Sequence, residues 1–314
     1  MNLTVVLVLL SLAAATGGSA EDVRAPIEPQ EIRRIAFVKT NPSKHPGFWD
    51  IYVANQGTGE TRRLTDDQVM DRGVTWSPDG TKLAFSRSTG QGIAPRQPNE
   101  DIFVMTLNAR SLRQLTQDMR IDMDPVWSPD GTKIAFTRYF GSYPARAEIF
   151  VMDADGTNEV RLTYTRPYQS NEPAWSPYGT HIAFTSDSGR GLTGDDLYVM
   201  HADGTGARLL VAGNLDEEDP EWSPDGTRIA FTRTNGSVFS GSIFVADAIT
   251  GEVVRLTERG SLATNPSWSP DGMTIAFSGN RRRDHPDGIY VMEPAPGAEW
   301  TFVSRYAGEP SWAR

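Results

Sequence analysis

The chain has 314 residues, 30 Lys and Arg against 40 Asp and Glu, a formal net charge of −10, and no cysteine. The acidic balance argues against a nucleic-acid partner, whose phosphates need a positive face. The missing thiols exclude a disulfide framework and thiolate metal sites.

The first residues differ in kind from the rest. Leu3 to Ala15 is an apolar run of 13 residues that ends in Gly17-Gly18-Ser19-Ala20. Gly18 and Ala20 stand where a signal peptidase reads, so the segment resembles a secretory signal. It is shorter than the roughly 20 apolar residues of a membrane-spanning helix. The expectation is an exported chain, periplasmic or extracellular, with residues 1–20 as signal peptide, residues 21–31 as a lead-in and residues 32–314 as one domain without a transmembrane anchor.

From Ile32 onward, four short apolar segments recur in fixed order. Ile35-Ala36-Phe37, Ile51-Tyr52-Val53 and Leu64 within Arg-Leu-Thr open the series; Trp76 in Trp-Ser-Pro-Asp-Gly then begins the first full set of four. The tryptophan segment returns at Trp127, Trp175, Trp222 and Trp268 and as Ser-Trp-Ala at Trp312, with spacings of 51, 48, 47, 46 and 44 residues. Each is followed by an Ile-Ala-Phe-like segment, an Ile-Tyr-Val-like segment and an Arg-Leu-Thr-like segment, except at the C-terminus. β-Branched and aromatic runs bounded by Gly, Pro, Asn and Asp read as strands. A period in the 40s with four strands per unit reads as propeller blades. The C-terminal tryptophan strand supplies the one strand missing from the N-terminal three, so the prediction is an all-β, six-bladed β-propeller closed by its tail, which protects strand edges. Ser-Pro-Asp-Gly and Ala-Asp-Gly-Thr are tight turns. The tryptophans, present in every blade, read as packing between blades.

The run Pro-x-Trp-Ser-Pro-Asp-Gly-Thr-x-Ile-Ala-Phe, followed by Ile-Tyr-Val-Met and Arg-Leu-Thr, resembles the WD40-like repeats of the TolB propeller family over nearly all of residues 32–314. For the family's namesake the resemblance implies a periplasmic protein in which the propeller follows an α/β domain and binds envelope partners, including a peptidoglycan-associated lipoprotein. Here only residues 21–31 separate the signal from the first strand, so the expectation is the propeller without that α/β domain. The same repeats form the propeller half of prolyl-oligopeptidase-type enzymes, but the sequence holds no Gly-x-Ser-x-Gly nucleophile elbow.

Two faces follow from the connections. The turns after the tryptophan and Ile-Tyr-Val strands are short and repetitive, and the other loops are long and different in each blade. Binding is expected on the variable face. Three residues before each tryptophan stand Gly73, Asp124, Glu172, Asp219, Asn265 and Glu309, placed near the axis, with Asp122, Asp216, Glu217 and Glu218 beside them. Three readings stay open. The acids suit the cationic end of a protein or peptide, a divalent cation with oxygen ligands, or ion pairs inside each blade. The last pairs them with Lys39, Arg87, Arg138 and Arg233, two residues after the strand phenylalanines, so that Asp124 would meet Arg138, Asp219 Arg233 and Glu309 Lys39.

The variable loops add Phe48, Trp49, Tyr139, Phe140, Tyr143 and Phe239, with His45, Arg96, Arg146 and Arg283 among them; aromatics with arginine favour protein contacts. His45, His181, His201 and His285 share no spacing, and His181 and His201 fall on the tight-turn face. The reading is a monomeric, non-catalytic module that binds a protein or peptide partner, an envelope component being one such partner, through Asp122, Asp124, Glu172, Asp219, Glu309, Trp49, Tyr139 and Tyr143. It expects no catalytic residue, metal ligand or cofactor. The alternative is a metal-dependent propeller enzyme, lactonase- or cyclase-like, that uses the acidic ring.

Overall fold

Every Ile-Ala-Phe strand alternates large, small, large. Because successive side chains of a strand point to opposite faces, the small residue goes to one face of the sheet and the two large ones to the other. That asymmetry is the packing rule of the domain. A computed structural model describes residues 34–313 apart from 42–44, 56–57, 68, 90–98, 109–110, 142–145, 165–168, 188–193, 236–239, 281–286 and 306. The proposed signal and lead-in, residues 1–31, lie outside the described residues.

The strands in chain order are β1 (Arg34–Asn41), β2 (His45–Asn55), β3 (Thr61–Arg63), β4 (Asp71–Trp76), β5 (Lys82–Ser88), β6 (Glu100–Thr106), β7 (Ser111–Gln114), β8 (Ile121–Trp127), β9 (Lys133–Phe140), β10 (Arg146–Asp153), β11 (Val160–Arg161) and β12 (Ser170–Trp175). They continue as β13 (His181–Ser186), β14 (Asp196–His201), β15 (Arg208–Val211), β16 (Asp216–Trp222), β17 (Arg228–Thr234), β18 (Ser242–Asp247), β19 (Val253–Arg255), β20 (Leu262–Trp268), β21 (Ile275–Asn280), β22 (Gly288–Met292), β23 (Thr301–Arg305) and β24 (Ala307–Trp312). They form six four-stranded antiparallel sheets. Five are consecutive in sequence, and the sixth has the order β24-β1-β2-β3. In that sheet Trp312 lies opposite Ile35 and Ser311 opposite Ala36, so the predicted closure by the C-terminal strand is present.

The core is six apolar clusters, one between each pair of neighbouring blades. At the closure, Ile35, Phe37 and Trp312 from one sheet meet Ala276, Ile289 and Val291 from the preceding one. On its other face the same sheet offers Ala36, Val38 and Ile51 to Trp76, Leu83 and Phe85 of the next. Each blade therefore presents a small-residue face to the tryptophan of its successor. The six tryptophans are at most 7% exposed, which confirms their role in packing between blades.

The polar part of each motif holds one blade together. In Arg-Leu-Thr, and in its copy Gln114-Leu115-Thr116, the hydroxyls of Thr65, Thr116, Thr163 and Thr257 accept the backbone N–H of Ile51, Ile102, Ile149 and Ile243 at 2.8–3.1 Å. The arginine reaches a carboxylate at the head of the neighbouring strand, as in Arg63 with Asp50 and Arg161 with Glu148. In Ser-Pro-Asp-Gly the serine hydroxyl donates to the aspartate at 2.5–2.6 Å, and the serine oxygen accepts the N–H five residues on at 2.9–3.0 Å.

Trp312 carries the closure, so Trp312→Ala should cost about 3–5 kcal/mol, the range for a buried aromatic. Chemical denaturation checks this. A midpoint unchanged from wild type contradicts closure by β24.

Candidate functional site

The innermost strand of every blade contains one extra residue. Met123 pairs with Thr137 and Val126 with Ala135, so Asp124 and Pro125 face a single residue of β9. The same shift occurs at Arg72/Thr75, Asn171/Ala174, Glu218/Glu221 and Thr264/Ser267. It is a β-bulge whose first residue is left-handed. Gly73, Asp124, Glu172, Asp219, Asn265 and Glu309 have φ of 58, 53, 53, 54, 52 and 51°. Gly and Asn take this conformation readily and Asp tolerates it, whereas Glu pays for it. Glu172 and Glu309 thus hold carboxylates in a strained backbone at positions where Gly73 shows that glycine suffices.

These six residues line the axial channel, together with the prolines that follow five of them and with Trp76, Trp127, Trp175 and Trp312, around a cavity of about 250 Å³. Within the ring, carboxylates accept from the next blade's backbone. Glu309 Oε2 accepts from Gly73 N at 2.6 Å, Glu172 Oε2 from Asp219 N at 2.8 Å and Asp219 Oδ2 from Asn265 N at 3.3 Å. Thr185 and Thr232 donate their hydroxyls to Glu172 and Asp219 at 3.3 and 3.1 Å.

The expected pairing of these acids with the strand bases is corrected by the structure. Arg138 joins Asp122 at 2.7 Å, Arg233 joins Glu217 at 2.7 Å and Arg87 joins Asp71 at 2.6 Å. The partner stands five residues before the tryptophan, not three, because the bulge turns the later residue out of the pairing and into the channel. Lys39 lies opposite Ala307, with its ammonium 5.7 Å from the Tyr52 ring. Asp122 accordingly leaves the candidate set, since it is fully buried and its carboxylate is taken by Arg138.

Among the described residues none of the four ring acids is in an ion pair, and their proton affinities rise together. Burial first, then the fields of Glu309, Asp219 and Glu100, pushes the Asp124 carboxyl up to about 7. Burial likewise lifts Glu309 to about 7, against the pull of the Gly73 N–H. Glu172 is raised by burial and then by Asp219 and Asp124, and Asp219 is raised by burial. Tyr139 is half-buried beside them, its phenol held neutral by burial and by Asp124 and Glu172.

Trp49 is half-buried against the cluster that holds Ala36, Val38 and Ile51, and its ring lies over Gly308, next to Glu309. Phe140 and Arg146 anchor each other, with the guanidinium 4.6 Å from the ring centre. Tyr143, Arg96, Phe239, Arg283 and His285 lie outside the described residues. The structure adds residues that spacing did not single out. Glu100 is buried with Oε2 unpartnered among the described residues and its Oε1 3.9 Å from Arg72, and burial raises Asp195 to about 6, as it raises Glu218, already named from the sequence, to about 7. Their signal in the sequence is faint, because they sit at strand heads next to loops that differ in every blade. Among the described residues, no group of three or more His, Asp or Glu side chains is arranged to hold a metal ion. Nor is any helix there long and apolar enough to cross a membrane.

A family model described as the TolB beta propeller domain matches residues 93–236. A protein TolB homolog of Chlorobium luteolum is 29% identical over 155 residues, 38% of this chain and 34% of the relative. The Tol-Pal system protein TolB of Anaeromyxobacter dehalogenans is 33% identical over 117 residues, 37% of this chain and 24% of the relative. The chain thus matches about a third or less of these relatives' length. The crystal structure of TolB from Acinetobacter baumannii superposes with a TM-score of 0.71 at 23% identity, over 89% of this chain and 66% of that one, which shows a shared fold.

A carboxyl whose native pKa lies above its unfolded value keeps a proton that the unfolded chain releases. Stability then falls as pH rises from about 4 to about 7. Asp124→Asn removes that penalty with a side chain already tolerated in the same left-handed conformation at Asn265. The variant should exceed wild type by about 1–3 kcal/mol at pH 8 and match it near pH 4.5, as read by thermal melts. An equal loss at both pH values would contradict the raised proton affinity.

Proposed function

Because the chain is a TolB-like six-bladed β-propeller, we propose that it is a non-catalytic docking module of the cell envelope, which receives the cationic end of a protein or peptide at the channel mouth ringed by Asp124, Glu172, Asp219 and Glu309. One observation carries this reading: four carboxylates converge on a channel, two of them, Glu172 and Glu309, in strained backbone, and none is in an ion pair among the described residues. Strain of this kind persists where the surrounding structure holds it, and it clusters at sites of function. A desolvated acidic ring attracts a cation far more strongly than surface acids in water do.

The cavity argues for a side chain or chain end rather than a free metabolite. At about 250 Å³ it falls below the usual range for small-molecule sites. An entering ammonium or guanidinium would satisfy the ring, and Tyr139 and Trp49 at the rim offer aromatic surface to the flanking residues, as hot spots do. Export, periplasmic or extracellular residence and an envelope partner belong to the same proposal, drawn from the apolar N-terminal run and from the likeness to a Tol-Pal system protein.

Random peptides displayed on phage, selected on the wild-type protein and counter-selected on Glu172→Gln/Asp219→Asn, test the reading. Enriched peptides should carry Lys, Arg or a free N-terminus at a fixed position and bind the double variant at least about tenfold more weakly, a change of about 1.4 kcal/mol. Peptides without basic residues, or equal binding to both proteins, would rule out the acidic mouth as the docking site.

A further inference from the structure

Far from the acidic mouth, one cross-strand position breaks the repeat. Ala202 N donates to Thr180 O at 3.0 Å, which makes the adjoining pair His181 and His201 the non-hydrogen-bonded kind, where facing side chains come closest. Three other blades have the same register, with Lys82 opposite Thr106, Lys133 opposite Asp153 and Arg228 opposite Asp247. At Lys133 and Asp153 the pair is an ion pair of 2.8 Å. The blade of Trp175 replaces base and acid together by two imidazoles, which repel when both are charged.

The histidine rings are 5.0 Å apart between centroids, inclined at 40°. A single ion bonded to one nitrogen of each ring at about 2.1 Å, with a right-angled or tetrahedral bite, sets ring centres about 4.5–5.2 Å apart. The surroundings prepare both rings as ligands. The Thr180 hydroxyl lies 2.9 Å from His181 Nδ1; when it accepts that N–H, it leaves the Nε2 lone pair for a metal. His201 is held by its own turn, His201 N to Thr205 O at 2.9 Å and Gly204 N to His201 O at 2.9 Å. Gly206, at φ +68°, leaves room for the ring, since a Cβ there would lie 2.7 Å from His201 Cδ2. Asp203 in the same turn adds negative charge beside His201.

From this the geometry points to a second site, on the tight-turn face, in which His181 and His201 bind one divalent ion of the zinc, copper or nickel class, with water on its remaining positions. Paired imidazoles favour these borderline metals over calcium, magnesium and manganese. The ion would clamp the two central strands of this blade where its neighbour uses Lys133 and Asp153. This site is independent of the docking proposal, because it shares no residue with the channel.

The test is calorimetric titration of the untagged full chain with Cu²⁺, Ni²⁺, Zn²⁺ and Mn²⁺, with the histidine imidazole resonances followed by NMR. His201→Asn and the charge-restoring double variant His181→Lys/His201→Asp are the comparisons. The double variant rebuilds the pair already present at Lys133 and Asp153, so it should fold. One Cu²⁺ per chain, weaker Ni²⁺ and Zn²⁺, joint shifts of the two imidazoles and at least a tenfold loss of affinity in both variants are expected. Absence of stoichiometric Cu²⁺ binding, or binding unchanged in the double variant, overturns the site.

Discussion

Each blade depends on the tryptophan of the next. A single four-stranded sheet of this size cannot bury both of its faces, and the large-small-large alternation of Ile-Ala-Phe leaves a shallow face that only a neighbour's aromatic residue fills. Around a ring the arrangement is cyclic, so the last interface must be supplied by β24. There Trp312 packs against Ala276 and Ile289, and across the next interface the Trp76 indole N–H donates to Ser311 O at 3.0 Å. A ring closed in this way is stiff enough to hold backbone conformations that an open array would relax.

The bulge uses that stiffness. On one strand, a carboxylate five residues before the tryptophan goes into the blade and meets an arginine; a carboxylate two residues later goes to the axis and meets other carboxylates. The first kind is structural. Asp71, Asp122 and Glu217 are fully buried, and removing one partner of such a pair typically costs about 3–5 kcal/mol, because a charge is left unpaired. The second kind is costly where it stands, through burial, mutual repulsion and, at Glu172 and Glu309, left-handed backbone. Its partial compensation comes from the next blade's N–H groups, which tie neighbouring blades together at the mouth.

Blade number, strand order, closure and tight turns were legible in the sequence because each rests on a period, and a period repeated along one chain is its own confirmation. The pairing of the acids was not, because one inserted residue shifts the register and alternation does not reveal an insertion. A signal was nevertheless present. Asp71 with Arg87, Asp122 with Arg138, Ser170 with Ser186, Glu217 with Arg233 and Ala263 with Gly279 change together across the blades, and all five pairs are direct cross-strand neighbours. Gly73 and Asn265 in a column otherwise made of Asp and Glu also mark the left-handed position. The histidine pair was hidden for a different reason: its members are 20 residues apart, and only the register of β13 with β14 brings them together.

Repetition also sorts structure from recognition. Features kept in all blades, the tryptophans and the left-handed bulge, belong to the ring itself, and under the proposed function specificity would reside in the columns that vary. In the bulge column the acids are unevenly distributed. Asp124, Glu172 and Asp219 come from three consecutive blades, whereas Glu309 stands between the neutral Asn265 and Gly73. Asp195 and Glu218 add their carboxyls on the side of the three, and so does the phenol of Tyr139. The field at the mouth is therefore directed across the channel and not along its axis alone. On the proposed docking role, a cation entering it would be drawn toward one wall, and a ligand anchored there would acquire a fixed orientation on a scaffold that is otherwise close to sixfold symmetric.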